Sequence, residues 1–436
     1  MNISVVGLGR VGLPLALVLA DGGHNVLGID RDNALLLKLQ SKECPFYEPG
    51  LADLLRRHIN GRIKLSDRVS DATKAGDTIC ITVGTHLSAS RSPLLENLYQ
   101  VADELASPDL RGKLIICKVT VPLGTTMSLK AYLEEKSGLA CGSDFYLAFS
   151  PERIVEGKAI EETRRLPVIV GGVDQRSHRK AVDFYKATGG RVIEVENATA
   201  AELVKLIDNS YRCTIFAFAN DIALVAERYG LDAGALIHAA NDGYPRNNIP
   251  FPSCGVSGYC LTKDPLYLEA SFADIAKERG FPSLWFSGRK TNDYMPLHTV
   301  DLTEEALRER DRTVRMAEVL VCGVTYKENI DDVRASHGIE IAGELERRGA
   351  KVSVYDPWPP QEIDLGFRRY DEVGEAFAGK DAVIFTVKHR QFVEWKGARL
   401  RQLMSYMRTP VLIDGWNIFP EMAKDSRVTY RGIGNK

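Results

Sequence analysis

The sequence predicts an α/β fold in which two Rossmann-like, doubly wound domains are joined by a long central helix and a helical middle domain. Two observations predict it: short apolar strands alternate with helical segments near both ends of the chain, and a long stretch without Gly or Pro lies between them. Alternating strands and crossover helices are typical of parallel sheets, and 436 residues are too many for one core. We expect domains at residues 1–195, 196–300 and 310–436.

The first domain begins with a buried strand at residues 1–6, followed by an apolar helix at 14–20 and a second strand at 25–29. Four further strands are predicted, at residues 78–83, 113–119, 146–149 and 168–171. The segments between them are long enough for the crossover helices that parallel strands require.

The central helix is predicted at residues 198–229. Apolar side chains recur there at helical spacing, at Leu203, Leu206, Ile207, Ile215, Phe218 and Ile222. The helix is unusually apolar, which favours a buried position at a domain or subunit junction, and we expect a homodimer or a higher homo-oligomer.

Residues 242–257 are rich in Gly, Pro, Asn and Ser and indicate an ordered loop or a linker. The last domain should follow the charged stretch at 301–312. Its predicted elements are a helix at 338–348 and strands at 317–323, 351–355, 381–387 and 410–414.

Composition excludes several classes of function. The net charge of −2 provides no field that would attract nucleic acid or an anionic membrane. The 8 cysteines form no Cys-x-x-Cys pair, so we expect no metal, and no apolar run reaches the ~20 residues of a membrane span. The first residues lead directly into a strand instead of a cleavable leader, which favours a reduced, cytoplasmic protein.

A dinucleotide fingerprint opens the chain. Gly7, Gly9 and Gly12 follow a strand and begin a helix, where glycines let backbone amides approach a pyrophosphate. Asp30 ends the next strand, where a carboxylate can bind ribose hydroxyls and repel a 2'-phosphate. Arg31 could instead accept the phosphate of NADP, but Asp30 favours NAD.

Cys260 is the candidate nucleophile. A thiolate can hold an aldehyde as a thiohemiacetal, from which a second hydride leaves to give a thioester. The Lys263 ammonium nearby would favour the thiolate. Alternatives are a buried, inert cysteine or a redox pair with Cys254; the other cysteines are expected to be inert.

Three other segments carry candidate polar groups. Lys205 and Asn209 share one helix face and could stabilise an alkoxide, or could simply lie on a solvated face. Glu152, at the end of a strand, could act as a general base, although a solvated helix start explains it too. Thr120 could order a water or contact the cofactor, and turn chemistry explains it equally well.

Seven ordered motifs span nearly the whole chain: residues 7–14 (Gly-Leu-Gly-Arg-Val-Gly-Leu-Pro), 48–51, 120–122, 150–153, 205–211, 260–264 and 326–334. With these motifs the chain resembles the UDP-glucose/GDP-mannose dehydrogenase family of nucleotide-sugar 6-dehydrogenases. The resemblance implies NAD-dependent, four-electron oxidation of the C6 alcohol of a UDP-sugar to a uronic acid, for surface polysaccharide or glycan precursors. It also implies NAD on the first domain, the sugar nucleotide on the last, and dimerisation through the long helix.

The resemblance assigns roles to individual residues. Cys260 would be the nucleophile, Lys205 and Asp264 would handle the alcohol proton and an ordered water, Asn209 would hold the oxyanion, and Glu152 would serve thioester hydrolysis. Cofactor contacts are expected at Gly7, Gly9, Arg10, Val11, Gly12, Asp30, Thr85, Thr120, Glu156, Lys263 and Arg334. Substrate contacts are expected at Glu152, Arg153, Ile154, Lys205, Asn209, Gly258, Lys327 and Arg246, the last reaching the neighbouring subunit's substrate.

Several positions depart from the family pattern: His86, Val119, Ser257, Tyr259 and Trp416-Asn417. The sequence around Cys260, preceded by Tyr244-Pro245-Arg246, is similar to the branch acting on UDP-N-acetylhexosamines, so UDP-N-acetylmannosamine or UDP-N-acetylglucosamine is expected before UDP-glucose. Two rival hypotheses are a two-electron hydroxyacid dehydrogenase that uses Lys205 and Asn209 alone, and a catalytically weak regulator that binds NAD or the nucleotide sugar.

Overall fold

The computed structural model describes residues 1–359 and 363–435. These residues form two compact units, one made of residues 1–208 and 266–275, the other of 209–265, 276–359 and 363–435. We call them the N-terminal unit and the C-terminal unit. The sequence predicts three domains instead, and that division remains a prediction.

The N-terminal unit is built on a mainly parallel sheet. Its strands are β1 (Asn2–Val6), β2 (Asn25–Ile29), β3 (Ile63–Ser66), β4 (Thr78–Ile81), the short hairpin β5 (His86–Leu87) and β6 (Pro93–Leu94), β7 (Leu114–Cys117), β8 (Tyr146–Phe149), β9 (Val168–Gly172) and β10 (Val192–Glu194). Leaving out the hairpin, the order is β3-β2-β1-β4-β7-β8-β9-β10, whose first six strands follow the Rossmann order. The β8–β9 pair is antiparallel, which the strand alternation alone did not predict.

Helices cover both faces of this sheet. They are α1 (Gly12–Asp21), α2 (Asn33–Gln40), α3 (Leu51–His58), α4 (Asp71–Ala75), α5 (Glu96–Leu105), α6 (Thr125–Ser137), α7 (Ala159–Arg165), α8 (Gln175–Ala187) and the long α9 (Ala198–Arg228), which continues into the C-terminal unit. One apolar cluster includes Val5, Leu13 and Ala16, and a second includes Val6 and Leu98. Because adjacent residues of a strand point to opposite faces, Val5 and Val6 belong to different clusters.

The C-terminal unit combines helices with a fully parallel sheet. Its elements are α10 (Ala233–Asn241), α11 (Tyr259–Ala270), α12 (Ala273–Arg279), α13 (Leu284–Arg308), β11 (Glu318–Cys322), α14 (His337–Arg347), β12 (Lys351–Tyr355), β13 (Arg368–Arg369), α15 (Val373–Phe377), β14 (Ala382–Phe385), α16 (Arg390–Glu394), α17 (Ala398–Met404), β15 (Val411–Asp414) and β16 (Thr429–Gly432). α11 and α12 run across the boundary at residues 266–275. The order β13-β12-β11-β14-β15-β16 again matches the Rossmann pattern.

The predicted fold class is therefore confirmed, with shifts at element boundaries. Every strand expected from the sequence is present within about two residues, whereas β3, the hairpin strands β5 and β6, β10, β13 and β16 were not expected. The charged stretch at 301–312 is not a separate connection, because α13 continues through most of it to Arg308. Residues 242–257 form the irregular segment that the composition predicts.

The turn from β1 into α1 is tightly packed. Gly7 has φ +91°, and a Cβ on Gly12 would lie 1.8 Å from the Gly7 carbonyl oxygen. The Thr82 hydroxyl donates to the carbonyls of Val6 (2.9 Å) and Gly7 (2.7 Å). The strand and helix can approach this closely only because position 12 has no side chain.

The turn from β11 towards α14 repeats this arrangement. Gly323 has φ +101°, and a Cβ on Gly338 would lie 2.2 Å from the Gly323 carbonyl oxygen. The Thr386 hydroxyl donates to the carbonyls of Cys322 and Gly323. The C-terminal unit therefore repeats the β–α packing of the fingerprint, although its own glycines are separated by a long loop.

Candidate active site

The nucleotide-binding end of the N-terminal unit is a cavity of about 260 Å³ at the carboxyl ends of β1, β2 and β4. It is lined by residues that include Gly7, Gly9, Asp30, Arg31, Asp67, Asn97, Gln100 and Glu104. A Cβ on Gly9 would meet nothing within 4 Å. Packing therefore does not require glycine at position 9, and the open space fits a ligand that approaches the backbone closely.

The charges around this cavity favour NAD over NADP. The Asp30 carboxylate accepts from the backbone N–H groups of Leu8 (2.7 Å) and Asp32 (3.0 Å), which fixes it at the end of β2. The Arg31 guanidinium donates to Gln100 (3.2 Å) and Asn97 (3.1 Å) and is thereby held against α5. Asp67 and Glu104 add further negative charge to the wall, which would repel a 2'-phosphate.

Arg10 and Glu156 meet beside the fingerprint turn. Their closest charged atoms, Nη1 and Oε2, are 3.4 Å apart, and the Arg10 guanidinium lies 4.9 Å from the centre of the Phe46 ring. Glu48 fixes the segment after Glu156 by accepting from the backbone N–H groups of Gly157 and Ala159, both at 2.8 Å. The motif at residues 48–51 thus has a structural role that the sequence did not reveal.

The Thr120 loop is held from two sides. The Thr85 hydroxyl donates to the Thr120 carbonyl (2.7 Å), so this predicted cofactor residue also fixes the loop. The buried Glu202 carboxylate accepts from the backbone N–H groups of Gly124 (2.6 Å) and Thr126 (2.7 Å) at the start of α6. A carboxylate at a helix N-terminus is stabilised by the helix dipole, which explains Glu202 without a catalytic role.

Glu152 follows β8 and is paired with Lys118, which follows β7. Glu152 Oε2 lies 3.3 Å from Lys118 Nζ, and Glu152 Oε1 accepts from the Arg153 backbone N–H at 3.0 Å. The Arg153 guanidinium faces Asp208 (3.4 Å) and the Pro167 carbonyl (3.4 Å). The guanidinium therefore already has two partners within the N-terminal unit.

Lys205 is buried on α9. Within the part of the chain that the structure describes, its ammonium has no hydrogen-bond or ion-pair partner. A buried ammonium is costly without a partner, so the position suits a group that binds an oxygen of the substrate.

In the C-terminal unit, Cys260 is an exposed residue in the first turn of α11. A helix N-terminus favours negative charge, which suits a thiolate. Among the other cysteines of the described chain, Cys80, Cys117, Cys213, Cys254 and Cys322 are buried. Burial raises the pKa of Cys80, Cys117 and Cys254 to about 12, so these thiols are poor nucleophiles.

The redox alternative for Cys254 has no support in the geometry of its thiol. The buried Cys254 thiol donates to the Thr386 carbonyl at 3.4 Å. Cys254 therefore packs against the sheet of the C-terminal unit as a structural residue.

A buried polar cluster lies one turn beyond Cys260. The Asn209 amide donates to Asp264 Oδ2 at 2.5 Å, and Lys263 Nζ lies 3.0 Å from Asp264 Oδ1. All three side chains are at least nine-tenths buried. The structure thus brings Asn209 to the adjacent residues Lys263 and Asp264, and the Asn209–Asp264 bond spans 55 positions.

The turn before Cys260 is fixed to the segment at 326–335. Ser257 Oγ donates to the Tyr326 carbonyl (2.8 Å), and the Gly258 N–H donates to the Ala335 carbonyl (3.1 Å). Gly258 has φ +94°, and a Cβ there would lie 2.4 Å from the Tyr326 ring. Ser257, which departs from the family pattern, therefore ties this turn in place.

The remaining predicted residues of the C-terminal unit have protein partners. Arg334 makes a two-point ion pair with Asp332, with its shortest contact at 2.6 Å, and lies 5.2 Å from the centre of the Tyr259 ring. Arg246 donates to the Tyr244 hydroxyl at 2.8 Å. The Lys327 carbonyl accepts from the Thr325 hydroxyl at 2.9 Å.

Sequence reasoning missed Lys118 and Glu202. The available signal for Lys118 was a lysine directly after the wholly apolar strand Leu114–Cys117, two residues before Thr120. No local signal marks Glu202 as a cap, because its partners lie 76 and 78 positions away.

In the described residues, no helix is both long and apolar enough to cross a membrane. No group of three or more His, Cys, Asp or Glu side chains in residues 1–359 and 363–435 is arranged to hold a metal ion.

Three family models of the UDP-glucose/GDP-mannose dehydrogenase family match successive parts of the chain. The NAD binding domain matches residues 1–188, the central domain 199–294 and the UDP binding domain 320–421. The match to the NAD binding domain agrees with the open space at Gly9 and with the position of Asp30.

Proteins similar to this chain over most of its length include nucleotide-sugar dehydrogenases. The UDP-N-acetyl-D-mannosamine dehydrogenase of Pyrococcus horikoshii is 32% identical over 435 residues, which cover 100% of this chain and 99% of that protein. That of Escherichia coli K12 is 28% identical, covering 92% of this chain and 96% of the relative.

Solved structures give the same result. That of the Pyrococcus horikoshii UDP-D-ManNAc dehydrogenase has a TM-score of 0.90 at 32% identity, covering 100% of this chain and 99% of the other. The structure of a UDP-glucose dehydrogenase from Pyrobaculum islandicum has a TM-score of 0.85 at 28% identity, covering 100% and 98%. The chain therefore belongs to the UDP-glucose/GDP-mannose dehydrogenase family and is an NAD-dependent oxidoreductase that acts on a nucleotide sugar.

Proposed function

We propose that the protein oxidises the C6 alcohol of UDP-N-acetyl-D-mannosamine to the carboxylate through a thioester on Cys260. The observation that carries this proposal is the exposed Cys260 thiol on the first turn of α11, directly before the buried Asn209–Asp264–Lys263 cluster. A thiol is needed only if oxidation continues past the aldehyde. The names of the relatives in Pyrococcus horikoshii and Escherichia coli favour this sugar.

Bound NAD would accept a hydride at each of the two oxidation stages, and Gly7, Gly9, Gly12 and Asp30 would hold it. In the first stage, the alcohol loses its O–H proton and the C6 hydride to give an aldehyde. The Lys205 ammonium stabilises the alkoxide that forms, and Asp264 takes up the proton through an ordered water.

In the second stage, the Cys260 thiolate adds to the aldehyde carbon and forms a C–S bond. The resulting oxyanion takes a proton and is held by the Asn209 amide, which makes a thiohemiacetal. Loss of the hydroxyl proton and of the remaining C6 hydride then gives the thioester.

Hydrolysis completes the reaction. Glu152 removes a proton from the attacking water, the C–S bond breaks, and the Cys260 thiolate leaves with the carboxylate product formed. The loop geometry supports this role, because Glu152 is fixed at the carboxyl end of β8, where ligands bind in such sheets.

We also propose a homodimer formed through α9. The helix carries an apolar seam spaced by steps of three and four residues, at Ile207, Tyr211, Ile215, Phe218, Ile222 and Val225, and the seam continues at Tyr229 directly after the helix. Five of these seven side chains are between 51% and 73% exposed. A seam with this heptad-like period fits a second copy of the same helix. Pairing with that copy would bury the exposed apolar side chains. The cytoplasmic location and the contact of Arg246 with a neighbouring subunit's substrate remain predictions.

The test is the number of NADH formed per sugar consumed by the purified protein, with UDP-N-acetylmannosamine, UDP-N-acetylglucosamine, UDP-glucose and GDP-mannose. A ratio near two on UDP-N-acetylmannosamine supports the proposal. Cys260→Ala should then abolish carboxylate formation, whereas Cys44→Ala, which removes the other exposed thiol, should leave the ratio unchanged.

Other outcomes would identify a rival function. A ratio near two on UDP-glucose would identify UDP-glucose as the substrate and would support the same mechanism. A ratio near one that Cys260→Ala does not alter would indicate a two-electron dehydrogenase that uses Lys205 and Asn209. Binding of NAD and sugar without NADH formation would indicate a regulator.

A further inference from the structure

Lys118 is a buried cation that neither the sequence motifs nor the proposed chemistry uses. Its side chain is 3% exposed. Nζ lies 3.3 Å from Glu152 Oε2, and 3.4 Å from both the Ser150 carbonyl and the Tyr185 hydroxyl. These contacts offset the cost of burying the ammonium and fix its position.

Glu152 is the negative charge that faces Lys118. The other titratable groups beside the pair are Cys80 on β4 and Tyr185 on α8. Burial raises the pKa of Cys80 to about 12 and also raises the pKa of Tyr185, so both stay neutral near pH 7. Burial alone would lower the pKa of Lys118, but the Glu152 carboxylate raises it well above its usual value.

The other charged groups that line the same cavity as Lys118 and Glu152 have ion-pair or hydrogen-bond partners of their own, or are neutral. Lys118 and Glu152 line a cavity of about 270 Å³ together with Asp21, His24, Arg153, Glu162 and Arg164. Asp21 pairs with Arg164 (2.7 Å), Arg153 faces Asp208 (3.4 Å), and Glu162 accepts from the Val155 backbone N–H (2.7 Å). Burial, the neighbouring N-terminus and Arg62 lower the pKa of His24, which keeps it neutral near pH 7.

Both oxygens of Glu152 are therefore fixed. Oε2 faces the Lys118 ammonium, and Oε1 accepts from the Arg153 backbone N–H at 3.0 Å. A carboxylate held at both oxygens keeps one orientation. A general base needs a fixed orientation at the moment of proton transfer.

We propose that Lys118 is a positioning residue for thioester hydrolysis, which holds the Glu152 carboxylate in one orientation through a buried ion pair. This inference rests on the proposed function, because it needs Glu152 to activate the hydrolytic water. Lys118 acts only through Glu152 and contributes nothing to the two oxidation stages.

The experiment is a double-mutant cycle with Lys118→Met, Glu152→Gln and the combined variant. Lys130→Met is the matched control, since Lys130 forms a Lys–Glu pair of similar length (3.4 Å, with Glu134) on the partly exposed α6. The measured quantity is the decay rate of the covalent sugar adduct on Cys260, followed by quenched-flow intact mass. The sugar is UDP-N-acetylmannosamine, or the sugar of the panel that gives two NADH.

We expect Lys118→Met to slow adduct decay by about 10- to 100-fold, as loss of a residue that supports a functional group commonly does. The two NADH-forming stages should keep their wild-type rate in Lys118→Met, because Lys118 takes no part in them. The combined variant should be no slower than Glu152→Gln, and Lys130→Met should decay like the wild type.

The combined variant also protects the test against misfolding, because it leaves no unpaired charge in the core. Wild-type decay of the adduct in Lys118→Met, or an equal slowing of the NADH-forming stages, would overturn the inference while the Glu152 mechanism stands. So would a combined variant slower than Glu152→Gln. If Glu152→Gln shows no adduct while the wild type forms two NADH per sugar, the role of Glu152 fails, and that of Lys118 with it.

Discussion

Replacing Gly9 with alanine should weaken the binding of the cofactor without destabilising the fold. Gly9 does not have a positive φ, and a Cβ at this position would meet no atom of the protein within 4 Å. Gly9→Ala should therefore change the free energy of unfolding by no more than about 1 kcal/mol, in the stabilising direction if at all. The added methyl group would, however, occupy the space through which the pyrophosphate approaches the backbone.

We expect the Kd for NAD to rise about tenfold or more in Gly9→Ala, which corresponds to about 1.4 kcal/mol or more of lost binding free energy. Isothermal titration with NAD measures the affinity, and thermal unfolding without NAD measures the stability.

Gly12→Ala is the matched control with the opposite pattern. Its Cβ would lie 1.8 Å from the Gly7 carbonyl oxygen and 2.5 Å from Thr82 Oγ1. A backbone atom cannot move aside cheaply, so this variant should lose about 1–3 kcal/mol or more of stability. Its Tm should fall by about 2–4 °C for each kcal/mol.

Unchanged NAD affinity in Gly9→Ala would refute the reasoning, because the open space at Gly9 would then have no connection with the cofactor. A large loss of stability in Gly9→Ala without NAD would refute the packing argument.

Three other predictions concern the C-terminal unit and the long helix. Gly258→Ala should lower kcat at least tenfold and destabilise the protein, because its Cβ would lie 2.4 Å from the Tyr326 ring at φ +94°; wild-type activity and Tm would contradict this. Burial lowers the pKa of His337 from 6.5 to about 3. Between pH 3 and 6.5, therefore, this histidine is protonated in the unfolded chain and neutral in the folded protein. The stability that this neutral side chain provides is complete above pH 6.5 and falls as the pH decreases towards 3, by roughly 2 kcal/mol between pH 6.5 and 5. His337→Gln should weaken this dependence in urea unfolding, and equal slopes would exclude His337 as its source. Phe218→Arg should convert the proposed dimer into a monomer in light scattering, whereas Leu37→Arg, at another exposed apolar position, should leave it intact; a dimeric Phe218→Arg would exclude the α9 seam.

Local patterns in the sequence were sufficient for most of the fold. The strands Asn25–Ile29, Tyr146–Phe149 and Lys351–Tyr355 have the predicted bounds, and the long helix ends one residue before its predicted end. Apolar runs bounded by turn residues predict strands because both faces of a parallel sheet are buried. The short edge strand Arg368–Arg369 was missed because it is polar and has no such pattern.

The candidate site was predicted less completely. The sequence identified the glycines of the fingerprint, Asp30 and Cys260, because each combines a residue type with a local context that its chemistry requires. It also placed Lys205 and Asn209 on one helix face, since residues four apart on a helix are neighbours.

Only the tertiary structure decided which charged groups meet. Lys118 faces Glu152 because β7 and β8 are adjacent parallel strands, whose carboxyl ends lie at the same edge of the sheet. Glu202 caps α6 from 76 positions away, and Asn209 binds Asp264 from 55 positions away. Residue type and spacing determined the elements and the reactive groups, whereas the pairing of those groups depends on strand order and helix packing, which no local pattern encodes.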